Sequence, residues 1–356
     1  ITESLQSFEL EDLTAALAQE GNQRILDMMS GIQKYHVHSY VQQPRGHKVI
    51  WSVGEIQLLD CSDRLPDNAP IIFLIPSLVN KSYILDLMPE RSFVDALVQA
   101  GIRPLLVDWR TPGETERAYG LDDYVSSVLV PAIDATVQQF PSAKIHACGY
   151  CMGGTLAAAA VQLSQHQLSS FIALATPWDF HAELGPAAKA FLRNEDGWSV
   201  VLDTLNELPV DVIQAFFASL DPNLCMNKFS MFNHLTQDSD RARMFVALED
   251  WLNDGVPLVK KVAKSCFHDW YGNNQTVAGR WSVGGELICP ETITIPSMIA
   301  IPKSDKIVPP ESAYALGRQI PNATIVNAGS GHIGMMVGGG ASSGLWRNVI
   351  DWVRNL

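Results

Sequence analysis

Three short apolar runs, Ile71 to Ile75, Arg103 to Val107 and Lys144 to Gly149, are bounded by turn residues and have the length of strands buried on both faces of a parallel sheet. Between them the apolar positions shift to helical spacing, over Ser92 to Ala100 and Leu121 to Phe140. Further strands are expected at Ser170 to Ala175, Ser297 to Ile301 and Ala323 to Val326, with a last helix over Leu345 to Leu356. Before all of these, Val49 to Asp60 reads as one or two strands turning at Gly54. Strands alternating with helices at this spacing predict an α/β chain with a mostly parallel, doubly wound central sheet.

Two stretches break the alternation. Residues 1 to 48 open with apolar positions at helical spacing (Leu13, Leu17, Ile25, Met28, Ile32) and are expected to form a helical lead-in to the core segment 49–180. From 181 to 290 the pattern is almost wholly helical, with segments such as Trp198 to Leu205, Val210 to Leu220 and Arg241 to Leu252. This is expected to be a cap inserted before the core resumes over 291–356. The apolar cap positions around Trp198, Ile213 and Phe217 suit contact with a second protomer or a polymer surface, or the commoner use of such a face, packing on the chain's own sheet domain.

The composition narrows the classes of function. With 47% hydrophobic and 18% charged residues among 356, the chain is globular rather than disordered, and it carries no repeat that would build a solenoid. A formal charge of −13 and no Lys/Arg cluster argue against a nucleic-acid partner. No apolar run reaches the roughly 18 residues that span a bilayer, and no signal-peptide pattern opens the chain, so a cytoplasmic protein is expected. The six cysteines are scattered, as reduced thiols would be. Cys148 and Cys151 form a C-x-x-C, but there is no second C-x-x-C and the one close His pair, His36 and His38, lies far away in sequence, which leaves the zinc pattern incomplete. The glycines around 284 and 338–340 lack the strand-then-helix setting of a phosphate loop, so neither metal nor bound cofactor is expected.

One motif carries chemistry. Gly149-Tyr150-Cys151-Met152-Gly153 fits G-x-C-x-G, the cysteine form of the nucleophile elbow, and lies between an apolar strand and the Ala-rich, helix-prone stretch Thr155 to Leu163. A nucleophile in that turn has a strained backbone, so the residues two positions away on either side must be small. The helix start also aims N–H groups at the sulfur, which supports negative charge on it. The same five residues would equally suit an inert buried cysteine; chain order separates the two readings. In the α/β-hydrolase fold an acid and then a histidine follow the elbow on loops after late strands. Asp305 follows the strand Ser297 to Ile301, and His332 lies in the glycine-rich loop Ala328 to Gly334. The expectation is an α/β-hydrolase fold with an inserted, mostly helical cap and a Cys151–His332–Asp305 triad. Its oxyanion hole would combine the Met152 N–H with that of Leu78 or Val79, after the strand Ile71 to Ile75.

With these residues assembled, the chain resembles the polyhydroxyalkanoate synthases, in particular the short catalytic subunit of the two-subunit class. The resemblance runs from about Val49 to His332. It includes Leu78 to Leu87, Val107-Asp108-Trp109-Arg110, Leu121-Asp122-Asp123-Tyr124 and the elbow, then Thr176 to Phe180, Glu249 to Leu252 and Gly331 to Gly334. It implies that Cys151 accepts an acyl group from a 3-hydroxyacyl-CoA, with His332 as base and Asp305 orienting it or helping to activate the incoming hydroxyl. It implies polyester chains as partner and product, a location at polyester granules and a second synthase subunit; a homodimer is instead what the apolar cap face suggests. Two positions depart from the pattern: Met152 stands where Gln is common and Arg110 where Gly is common. The same triad would also serve a thioesterase or depolymerase with water as acceptor, and a non-catalytic, granule-binding subunit is the third reading.

Overall fold

A computed structural model describes residues 10–43, 45–62, 64–329 and 331–356. The first nine residues of the expected lead-in and Ser330 of the His332 loop lie outside the described residues. Eight strands form the main sheet: β1 (Lys48–Val53), β2 (Ile56–Asp60), β3 (Ile71–Ile75), β4 (Arg103–Asp108), β5 (Ile145–Tyr150), β6 (Ser170–Leu174), β7 (Ser297–Ile301) and β8 (Thr324–Asn327). Their order across the sheet is β1-β2-β4-β3-β5-β6-β7-β8. Only β2 runs against its neighbours, β1 and β4; every other pair is parallel. Strands β3, β5, β6 and β7 are buried along their whole length, which is why they read as unbroken apolar runs.

The strand order reverses at β3, whose neighbours β4 and β5 follow it on opposite sides. Crevices at the carboxyl ends of strands flanking such a reversal are where α/β sheets bind ligands. Helix α1 (Met152–Ser164) leaves β5 at this point and is buried on nearly every side. Its run Ala157 to Ala160 has no exposed surface, and side chains this small let the helix lie close against the sheet. The helical run from Leu121 to Gln139 is continuous but contains a π-helical turn at Tyr124–Leu129. The strand expected at Ser297 to Ile301 has those bounds, and a 3₁₀ turn at Pro290–Thr292 precedes it.

Arg110, just past β4, adopts a left-handed backbone with φ 57°. A side chain there costs roughly 1–2 kcal/mol that glycine avoids, which gives a physical reason for glycine to be common at this position.

By packing, the chain divides into two compact units: residues up to Gln42 with Asp221–Asp250, and Gln43–Leu220 with Trp251–Leu356. In the first, the lead-in helix Leu10–His36 lies against Leu224–Asn233 so closely that a Cβ at Gly31 would meet the Phe229 backbone. Phe232 stacks on Phe245 with centroids 4.3 Å apart, beside Ala242 and Val246. Part of the 181–290 stretch thus folds with the lead-in helix. The remainder belongs to the sheet unit, where Trp198 packs on Phe267 at 5.1 Å and Phe180 stacks on Trp270 at 5.1 Å. Most of the apolar cap face is used in this way: Trp198, Leu202, Ile213 and Phe216 are buried, whereas Val200 and Leu205 are exposed.

One buried polar group makes stability depend on pH. His146, on β5, is fully enclosed; its Nδ1 lies 2.8 Å from Ser170 Oγ, and its Nε2 has no partner among the described residues. Burial, aided by Lys144, pushes its pKa down to about 4. The unfolded chain therefore takes up this proton first, and the stability present above pH 6.5 drains away as the pH falls toward 4. The loss should total on the order of 3 kcal/mol. Urea titrations across this window should show a shallower pH dependence in His146→Leu than in wild type; an unchanged slope would mean that the imidazole does not stay neutral.

Candidate active site

The elbow is built from what its glycines lack. A Cβ on Gly149 would fall 2.6 Å from Gly153 O and 2.8 Å from Ala157 Cβ. One on Gly153 would collide with the Ile75 and Pro76 carbonyls at the exit of β3, and one on Gly154 would lie 2.8 Å from Thr176 Cβ. With those side chains absent, the chain turns at Cys151 with φ 56° and ψ −131°, and the Cys151 N–H donates to Leu174 O at 2.9 Å. The half-buried Cys151 precedes Met152, the first residue of α1, whose N–H has no intrahelical acceptor.

Two late loops bring their side chains to the same place. Asp305 is buried after β7, and its Oδ1 accepts hydrogen bonds from the N–H groups of Ile307 and Val308 at 2.8 and 2.9 Å. Its Oδ2 lies 2.7 Å from Nδ1 of His332. The loops approach this closely because residue 331 is glycine, where an added Cβ would already lie 3.2 Å from Ser304 O. The Cys151 sulfur acts electrostatically on the His332 imidazole. Burial opposes charge on the imidazole, but the Cys151 sulfur and the Asp305 carboxylate outweigh it and hold the His332 pKa well above the ordinary histidine range.

Tyr150, the residue before Cys151, completes this arrangement. Its ring stacks on His332 with centroids 5.2 Å apart and planes 27° apart, and its hydroxyl donates to His332 O at 3.1 Å. Sequence reasoning passed over Tyr150, and the motif gives no hint of it, because the second position of G-x-C-x-G accepts any residue. Cys148, the other member of the C-x-x-C, is fully buried in β5, and that burial pushes its thiol pKa up.

The two backbone positions named beside Met152 differ. The Val79 N–H donates to Ser77 Oγ at 3.3 Å, whereas the Leu78 N–H has no acceptor among the described residues. Leu78 also lines a cleft with Trp109, Arg110, Tyr124 and Pro257. A separate cleft, sharing none of these residues, is lined by Phe180, Phe216, Tyr271, Ile307 and Val308.

The family model described as alpha/beta hydrolase fold matches residues 70–339, most of the chain. The chain belongs to the α/β-hydrolase fold family. Solved structures agree on the fold. A carboxyl esterase from Bacillus coagulans, 12% identical, superposes with a TM-score of 0.58 over 89% of this chain and 99% of its own. A monoacylglycerol lipase from Paleococcus ferrophilus, 16% identical, gives 0.51 over 81% and 96%. Among curated sequences this α/β hydrolase is similar to proteins named poly(3-hydroxyalkanoate) polymerase subunit PhaC. The one from Haloferax mediterranei is 25% identical over 311 residues, covering 86% of this chain and 63% of the relative. The one from Allochromatium vinosum is 26% identical over 298 residues, covering 83% of each. The chain spans less than two thirds of the Haloferax mediterranei and Haloarcula marismortui relatives, 63% and 62% of their lengths.

Proposed function

We propose that this α/β hydrolase is an acyltransferase that polymerises 3-hydroxyacyl groups from CoA thioesters into polyester through an acyl–Cys151 intermediate. The observation that carries the reading is a cysteine at the elbow whose sulfur acts on His332, an imidazole that a buried carboxylate holds at 2.7 Å. The similarity to polymerase subunits supplies the substrate class.

The chemistry follows from the atoms present. The Cys151 sulfur attacks the thioester carbonyl, the carbon–sulfur bond to CoA breaks, and His332 delivers its proton to the departing thiol. Negative charge on the carbonyl oxygen is met by the Met152 and Leu78 N–H groups; Leu78 is favoured over Val79 because its donor is free. One thioester replaces another, so the acyl group stays activated. His332 then takes the proton from the 3-hydroxyl of an acyl chain; the oxygen attacks the acyl–Cys151 carbonyl, and an oxoester forms as the sulfur is released. No cofactor is required by these steps. Keeping water from the intermediate falls to the aromatic cluster of Phe180, Trp270 and Tyr271, with Phe216, over this side of the sheet.

Incubating the protein with 3-hydroxybutyryl-CoA and separating the products tests the proposal. Free CoA should appear together with polyester of rising chain length. CoA release accompanied only by free 3-hydroxybutyrate would make water the acceptor and overturn the polymerase reading.

A further inference from the structure

Tyr271 stands on the π-helical turn Ser265–Gly272, a local irregularity that often marks functional positions. Its ring is held edge-on by Phe180 at 5.0 Å and by Phe216 at 5.7 Å, and its backbone carbonyl meets His181 Nε2 at 2.8 Å. The phenolic hydroxyl has no hydrogen-bond partner among the described residues. Tyr271 lines the cleft that also includes Ile307 and Val308, the two residues whose N–H groups hold Asp305. Burial, Cys266 and the Cys151 sulfur all push its pKa up, so the hydroxyl keeps its proton and remains a donor at neutral pH.

A donor of this kind, fixed in an aromatic setting in the cleft that borders the Asp305 loop, needs an acceptor once a ligand displaces water, because an unpaired buried hydroxyl is costly. The thioester carbonyl is already provided for by N–H groups beside the other cleft, where Leu78 lies. We propose that the Tyr271 hydroxyl donates to the 3-hydroxyl oxygen of the acyl group and thereby selects 3-hydroxyacyl over unsubstituted acyl thioesters. This rests on the acyl-transfer reading above. The substrate hydroxyl keeps its own proton for transfer to His332, and the ring of Phe180 closes the cleft around an apolar chain. A butyryl group offers no acceptor and leaves the phenol unpaired, whereas a 3-hydroxybutyryl group satisfies it.

The experiment is single-turnover acylation of the full chain by 3-hydroxybutyryl-CoA and by butyryl-CoA, in wild type and Tyr271→Phe, with the adduct on Cys151 located by mass spectrometry. Phenylalanine keeps the ring packing and removes only the donor. The preference for the hydroxylated thioester should fall by roughly 10- to 100-fold in the variant, with the loss concentrated on that substrate. An unchanged preference, whether both rates hold or both fall together, would overturn the assignment. Failure of the wild type to form a Cys151 adduct with either thioester would instead remove the acyl-transfer reading, and the role of Tyr271 with it.

Discussion

Asp305→Asn should lower turnover by roughly 10³- to 10⁴-fold while leaving KM close to wild type. The argument lies in the two oxygens. Oδ1 accepts from the Ile307 and Val308 N–H groups, so the amide of an asparagine must place its oxygen there and its NH₂ toward His332. That NH₂ donates to Nδ1, which moves the ring proton to Nε2, the nitrogen left for the sulfur. A base with its reactive nitrogen already protonated cannot take a proton from Cys151. The same exchange removes a negative charge that favours the imidazolium, so the His332 titration followed by NMR should move to lower pH. Loss of turnover with wild-type imidazole titration would assign Asp305 a different role.

Cys151→Ser should eliminate polymer formation and stop at no more than one acyl group per chain. A serine at φ 56° still lies beside His332 and the Met152 N–H. Acyl transfer from a thioester to its hydroxyl yields an oxoester, no longer activated toward the hydroxyl of the next unit. Acylation therefore runs downhill into a trap, and polymer yield should fall by at least ~10³-fold, given the dependence of such catalysis on its nucleophile. Intact-mass measurement should find either unmodified chain or a single adduct on residue 151. Continued chain growth on the serine variant would show that the thioester intermediate is dispensable.

The sheet was legible because its physics is local. Strands enclosed on both faces must be apolar throughout, and Ile71–Ile75 and Ser297–Ile301 appear where those runs occur. The chain order of Cys151, Asp305 and His332 was legible because each lies in a slot the fold type provides after a particular strand. Packing partners were not. Nothing in the spacing of Leu224–Asn233 reveals that it meets a helix about 200 positions earlier; the Asn233–Asp27 hydrogen bond spans 206 residues. Nor could spacing distinguish Tyr150 and Tyr271 from other aromatics, since what sets them apart is a ring stacked on an imidazole in one case and, among the described residues, a hydroxyl without a partner in the other. The π-helical turn at Tyr124–Leu129 was equally hidden, because its residues keep ordinary helical spacing.

That 206-residue separation has a consequence for biosynthesis. At roughly 5–20 residues per second, the helix Leu10–His36 waits on the order of 10–40 s before the segment it packs against has been made. Leu17, Leu26 and Met29 are exposed along it even when folding is complete. During that interval the nascent chain displays an apolar helix face that its partner has yet to cover, a surface a ribosome-associated chaperone can engage.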